Sequence, residues 1–196
     1  MNKKYELTDE TVKVGNCVLH RIKALRSFCD VKIGNLGGFI ESEKNLSDDE
    51  SRWVRDNAWV YENAQVYGYA KVTGNAKVSG NANVSEHTWV YGDAQIYGNA
   101  KIYGDAHVYE RVRVYGDARV FGSAQLGTDA WICENAQVYG YAVVTGDAKI
   151  YGDAQIYGNV HVYGSAELNS GIWNRIIEID EKWYLVSTTL KKILME

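Results

Sequence analysis

Acyl transfer needs a general base, usually histidine, to take a proton from an acceptor hydroxyl or amine. This chain offers His20, His87, His107 and His161. His107 and His161 each precede an aliphatic residue of the regular repeat set out below, so both are expected to point outward on one side. They lie 54 residues apart. That is three coils of eighteen, roughly 14 Å at ordinary strand spacing, too far to share a site within one subunit. His87 stands at a corner where Asp or Asn is usual. His107 is therefore the candidate base only if the chain works as an acyltransferase-like enzyme at a trimer interface, using a coenzyme A thioester. Outside that alternative, neither a catalytic residue nor a cofactor is expected. Cys17, Cys29 and Cys133 are an odd, scattered set without metal-ligand spacing, and no metal site is expected. They read as reduced thiols. The glycines recur with a solenoid's period and lack the strand–loop–helix context of a phosphate-binding loop.

Outward aromatic residues carry more information. Sorted by eighteen, one side presents Tyr67, Ser85, Tyr103, Phe121, Tyr139 and Tyr157, with companions Gln65, Asn83, Lys101, Arg119, Gln137 and Gln155 and no carboxylate among them. A second side carries Tyr61, Tyr97, Tyr115 and Tyr151 with Trp59 and Trp131, and the third carries Trp53, Trp89, Tyr91, Tyr109 and Tyr163. Stacked tyrosines also pair well between neighbouring strands without any function. Tyrosine, tryptophan and arginine are nevertheless enriched at binding hot spots. The candidate binding patch is Lys101, Tyr103, Arg111, Arg113, Arg119, Phe121 and Tyr139. It includes the corner Glu110-Arg111, which replaces the usual Gly-Asp, because breaks in a repeat are expected where function overrides it.

The element that must position these residues has a period of six. An aliphatic residue occurs at every sixth position from Val54 through Ile96 and Leu126 to Leu168, across twenty hexads without insertion. From Ala58 to Ala166 alanine stands two residues before nearly every one, with Thr88, Val112 and Val160 as exceptions. Such a period fits neither a helix face nor an alternating strand, but it is the signature of a hexapeptide β-helix. The aliphatic residue points inward at mid-strand and the alanine points inward near the corner. Gly-Asp or Gly-Asn makes the corner, since both types accept left-handed backbone. Three sides give an eighteen-residue triangular coil, and the hexads make six to seven coils, a prism roughly 30 Å long. The segment from Trp59 to Ala70 recurs almost unchanged from Trp131 to Ala142, an offset of 72 residues or four whole coils.

Three segments follow. Residues 1–40 form an N-terminal cap with a β-hairpin around Gly15-Asn16, since an open solenoid end would expose apolar core and unpaired edges. Residues 41–170 form the solenoid, with a small loop between Ser47 and Arg52. Residues 171–196 form a C-terminal capping element, a hairpin followed by Leu190–Leu194, which reads equally as strand or helix. The chain contains no proline, as suits uninterrupted parallel pairing. Its formal charge of −4 weakens nucleic-acid or nucleotide binding as a reading. Without a signal peptide or a membrane-length apolar run, a cytoplasmic protein with no membrane partner is expected.

The aliphatic residue with a small residue four positions later, as in Ile96 with Ala100, matches the left-handed β-helix pattern. The run Arg21-Ile22-Lys23-Ala24-Leu25-Arg26-Ser27-Phe28, continuing through Gly34-Asn35-Leu36-Gly37-Gly38-Phe39-Ile40 to Ser47, resembles the opening of the YdcK-like hexapeptide-repeat proteins of bacteria and phages. The likeness covers about residues 20–168. It implies an all-β, left-handed parallel β-helix. Such proteins are often called transferases by analogy with hexapeptide acyltransferases, but fold does not carry function. The phage association implies an accessory role in the infected cell, such as inhibition of a bacterial defence system. The expected partners are a second or third copy of the chain (a dimer or trimer), a host protein, or both.

Overall fold

The computed structural model describes residues 3–47, 52–179 and 182–187. Residues 48–51, where the small loop was expected, and residues 188–196, with the undecided C-terminal run, lie outside them.

Each hexad folds as a two-residue strand and a tight corner. After β1 (Tyr5–Val14), β2 (Cys17–Ala24) and β3 (Leu36–Ile40), twenty such strands run from Trp53–Val54 to Glu167–Leu168. Every one pairs in parallel with the strand eighteen residues away, as in Trp89↔His107 and Lys101↔Arg119. Three sheets result, one per side of a triangular parallel β-solenoid of about seven turns. The first face contains the strands beginning Trp59, Lys77, Gln95, Arg113, Trp131, Lys149 and Glu167. The second contains those beginning Gln65, Asn83, Lys101, Arg119, Gln137 and Gln155. The third contains those beginning Trp53, Lys71, Trp89, His107, Gln125, Val143 and His161.

The inward residues make one continuous core. From Val54 to Ile156 the mid-strand aliphatics are at most 1% exposed, and the alanines from Ala58 to Ala154 are fully buried. Thr88, standing in for alanine, keeps its hydroxyl satisfied by donating to the Ser85 carbonyl at 2.7 Å, which removes the cost of burying a lone polar group. Coil after coil repeats the same burial, so stability accrues through neighbour contacts.

Corners are left-handed, and most use glycine. Gly98 has φ +71°, and a β-carbon there would sit 2.9 Å from the Gly116 nitrogen of the next coil. Six corners hold other residues at positive φ: Asp56, Glu62, Glu86, Glu110, Thr128 and Glu134. The four glutamates are spaced by 24, a repeat of four hexads. Since a coil takes three hexads, each glutamate falls one face further on, and the pattern realigns after 72 residues. The long internal repeat has the same 72-residue offset. The spacing of the glutamates makes Glu110-Arg111 the third member of a periodic series rather than a singular break. Three of the four carboxylates accept the amide N–H of the glycine one coil on: Glu62 from Gly80, Glu86 from Gly104 at 2.8 Å, and Glu134 from Gly152 at 2.9 Å. One corner column is an amide ladder, with Asn63, Asn81 and Asn99 donating in turn to Asn81, Asn99 and Asp117 at 3.0–3.1 Å.

β1 and β2 pair antiparallel from Tyr5↔Ala24 to Val14↔Cys17, closing on Gly15 at φ +57°. β2 then pairs antiparallel with β3, which runs parallel to the Trp59–Val60 strand. The N-terminal strands thus continue the first face along the solenoid axis. At the other end β24 (Ile172–Ile179) runs parallel to the Gln155–Ile156 strand of the second face and antiparallel to β25 (Lys182–Ser187). Among the described residues, no helix is long and apolar enough to cross a membrane.

Candidate functional site

Alternation along a two-residue strand sends the aliphatic side chain inward and its two neighbours outward. On the second face the first outward position holds Lys101, Arg119, Gln137 and Gln155 in register, and the second holds Tyr103, Phe121, Tyr139 and Tyr157. Coil spacing stacks the rings. Tyr103 lies on Phe121 with centroids 4.9 Å apart, Phe121 on Tyr139 at 4.6 Å, and Tyr139 on Tyr157 at 4.7 Å, all within 13° of parallel. Four rings therefore form a row spanning about 14 Å at strand spacing. The row is anchored at its far end, where Asn174 donates to the Tyr157 hydroxyl at 2.8 Å.

Partial burial within the row governs its chemistry. Desolvation pushes the Tyr139 hydroxyl above the ordinary phenol range, with Tyr157 adding to the shift. Desolvation likewise pushes Tyr103 up, opposed by Arg119 and assisted by Glu86. These hydroxyls stay neutral at physiological pH, able both to donate and to accept. Lys101 and Arg119 are exposed beside the rings. No strand position of the face from Gln65 to Tyr157 carries a carboxylate; Glu62, Glu86, Asp105, Asp117, Glu134 and Asp153 stand on the corners that border it. The surface is flat, aromatic and cationic at its centre, with a mixed rim.

Five of the seven sequence-derived binding residues converge here: Lys101, Tyr103, Arg119, Phe121 and Tyr139. Two do not. Arg113 begins a strand of the first face, with its guanidinium 4.9 Å from the Trp131 ring centroid. Arg111 is an exposed corner residue paired with Asp129. Six residues carry the chain round one corner, so 113 cannot share a side with 101 and 119.

The first face holds an arrangement that sequence reasoning missed. Trp131 lies between two cations, Arg113 at 4.9 Å and Lys149 at 6.0 Å. Lys149 also pairs with Glu167 at 2.9 Å, which raises its pKa. The spacing 113, 131, 149 is the signal that would have found it. On the same face, Cys133 breaks the tyrosine column above Tyr97 and Tyr115, whose rings stack at 4.9 Å. The Tyr115 hydroxyl is pushed up to about 12, chiefly by its hydrogen bond with Cys133 and then by desolvation.

The histidines remain apart. His107 stacks on Trp89 at 5.6 Å and His87 on Tyr69 at 4.8 Å. His107 and His161 are three pairing steps apart on the third face. His20 Nδ1 lies 3.0 Å from the Thr8 carbonyl oxygen. Among the described residues, no three His, Cys, Asp or Glu side chains are grouped to hold a metal ion.

The family model described as the YdcK beta solenoid repeat matches residues 94–110, 112–128 and 154–166. Two of these stretches include Lys101, Tyr103, Arg119 and Phe121. No curated protein matches the chain. The period, the eighteen-residue pairing and the three matched stretches agree: the chain is a β-solenoid of about seven turns in which three stretches match the YdcK-type repeat.

Proposed function

We propose that this protein is a non-enzymatic binding module, an accessory factor of phage or prophage type that engages a host protein through the second face. The observation that carries this reading is the continuous row Tyr103–Phe121–Tyr139–Tyr157 flanked by Lys101 and Arg119, without a carboxylate on its strands. Rings held by backbone spacing lose little conformational freedom on binding, and pre-organisation of this kind favours affinity. The cations supply complementarity to an acidic partner surface, which acts mainly on specificity and association rate. Inhibition of a bacterial defence system is the form this activity takes under the YdcK resemblance.

Two experiments test the reading. Native mass spectrometry of the gently purified protein is expected to show a host protein bound to it, whereas a trimer retaining a coenzyme-A-sized ligand would favour acyl transfer. Expression in cells carrying individual defence systems is expected to restore infection in at least one of them. No effect across a broad panel would remove the defence-inhibitor form.

A further inference from the structure

Beside the third face, the Phe28–Val31 segment and the first coils enclose a half-open cleft of about 350 Å³. That falls within the roughly 300–1,000 Å³ typical of small-molecule sites. Its inner wall is aromatic and fixed. Trp53 is only 3% exposed and meets the Phe28 ring edge-on at 5.4 Å. Phe28 and Val31 exchange backbone hydrogen bonds of 3.0 and 2.8 Å, which hold the segment against that wall.

A parallel ring pair also lines the cleft. Tyr69 and His87 stack at 4.8 Å with planes 3° apart. His87 covers one face of Tyr69, and the tyrosine, 56% exposed, lines the cleft together with it. Such an aromatic lining favours planar partners, through offset-stacked or edge-to-face packing.

The polar groups of the cleft are charged. Arg55 pairs with Asp30, whose carboxyl is held below its ordinary range by that hydrogen bond and, to a smaller extent, by the charge of Lys71. Arg55 and Asp30 thus cancel, and the third member of the cluster leaves one net positive charge. The Lys71 ammonium rests 4.5 Å from the Trp89 centroid. A ring face occupies one side of an ammonium that has three donors, so Lys71 retains donors for an anion.

We infer that this cleft binds a small planar anion: a flat aromatic ring packed against the aromatic lining at Tyr69, bearing a phosphate or carboxylate that reaches Lys71. The site lies on a different face from the proposed protein-binding surface and stands or falls independently of it.

Calorimetric titration of the intact protein with adenosine monophosphate, adenosine and indole-3-acetate tests it. Saturable binding is expected for at least one of the two anions. Lys71→Met and Tyr69→Ala should each weaken it by about ten-fold, the loss of one charge-assisted or stacking contact. Lys77→Met, on the first face, should leave it unchanged. Both cleft side chains are at the surface, and circular dichroism of the variants verifies that they fold. Binding of adenosine monophosphate alone would assign a nucleotide site, and binding of both anions a general planar-anion site. Absence of binding by either anion would overturn the inference. So would adenosine binding as tightly as its monophosphate, or wild-type affinity in both cleft variants.

Discussion

The corner glutamates yield a prediction whose sign runs against ordinary expectation for a surface residue. Glu134 holds φ +58° and accepts the Gly152 amide N–H at 2.9 Å. Left-handed backbone costs a non-glycine residue about 1–2 kcal/mol. A hydrogen bond contributes about 0.5–1.5 kcal/mol net, more when charged, and exposure keeps this carboxylate near the lower values. Glu134→Ala retains the strain and loses the bond, so it should be destabilised by about 1 kcal/mol. Glu134→Gly loses the bond but sheds the strain, offset by about 0.5–1 kcal/mol of unfolded-chain entropy. It should therefore stay within about 1 kcal/mol of wild type and above the alanine variant. Urea unfolding followed by tryptophan fluorescence, compared at matched slopes, gives the ranking. An alanine variant as stable as the glycine variant would refute the strain at this corner, and one as stable as wild type would refute the compensating role of the carboxylate.

Three further outcomes follow from the same geometry. Ile132→Ala empties a fully buried mid-coil position and should cost about 2–5 kcal/mol, read as a lower urea midpoint. Tyr115 titrates near 12 in the folded protein, above the ordinary phenol value near 10, so folding favours its neutral form. Its contribution is fully present below pH 10 and is lost as pH rises towards 12; ultraviolet phenolate titration should show it ionising late, and earlier in Cys133→Ala. His107→Ala, which removes a ring stacked on Trp89 on the third face, should leave partner binding through the second face at the wild-type value when bound partner is measured by native mass spectrometry.

The fold was largely legible because each hexad encodes its own strand and corner, and the inward residue is chosen locally. Val54 to Leu168 could be placed by counting, and the pairing of Lys101 with Arg119 followed from eighteen residues per coil. The site was legible only in part. Arg113 was grouped by nearness along the chain, although twelve residues separate it from Lys101 and carry it to another face. Glu110-Arg111 looked singular until the series Glu62, Glu86, Glu110, Glu134 placed it in a 24-residue repeat. The sandwich around Trp131 depends on cations and rings alternating along one column, which sorting the aromatics alone does not reveal. The cleft beside Trp53 was hidden for another reason: Phe28 and Asp30 belong to a non-periodic segment, and no spacing relates them to Tyr69 and Lys71.

The most direct test of the binding-face account compares partner capture by three purified variants of otherwise intact protein. Phe121→Glu and Arg119→Glu alter the second face, whereas Tyr163→Glu places the same charge on the third. The account predicts that the first two lose the partner retained by wild type and that the third keeps it. Equal retention by all three, or selective loss in Tyr163→Glu, would contradict it.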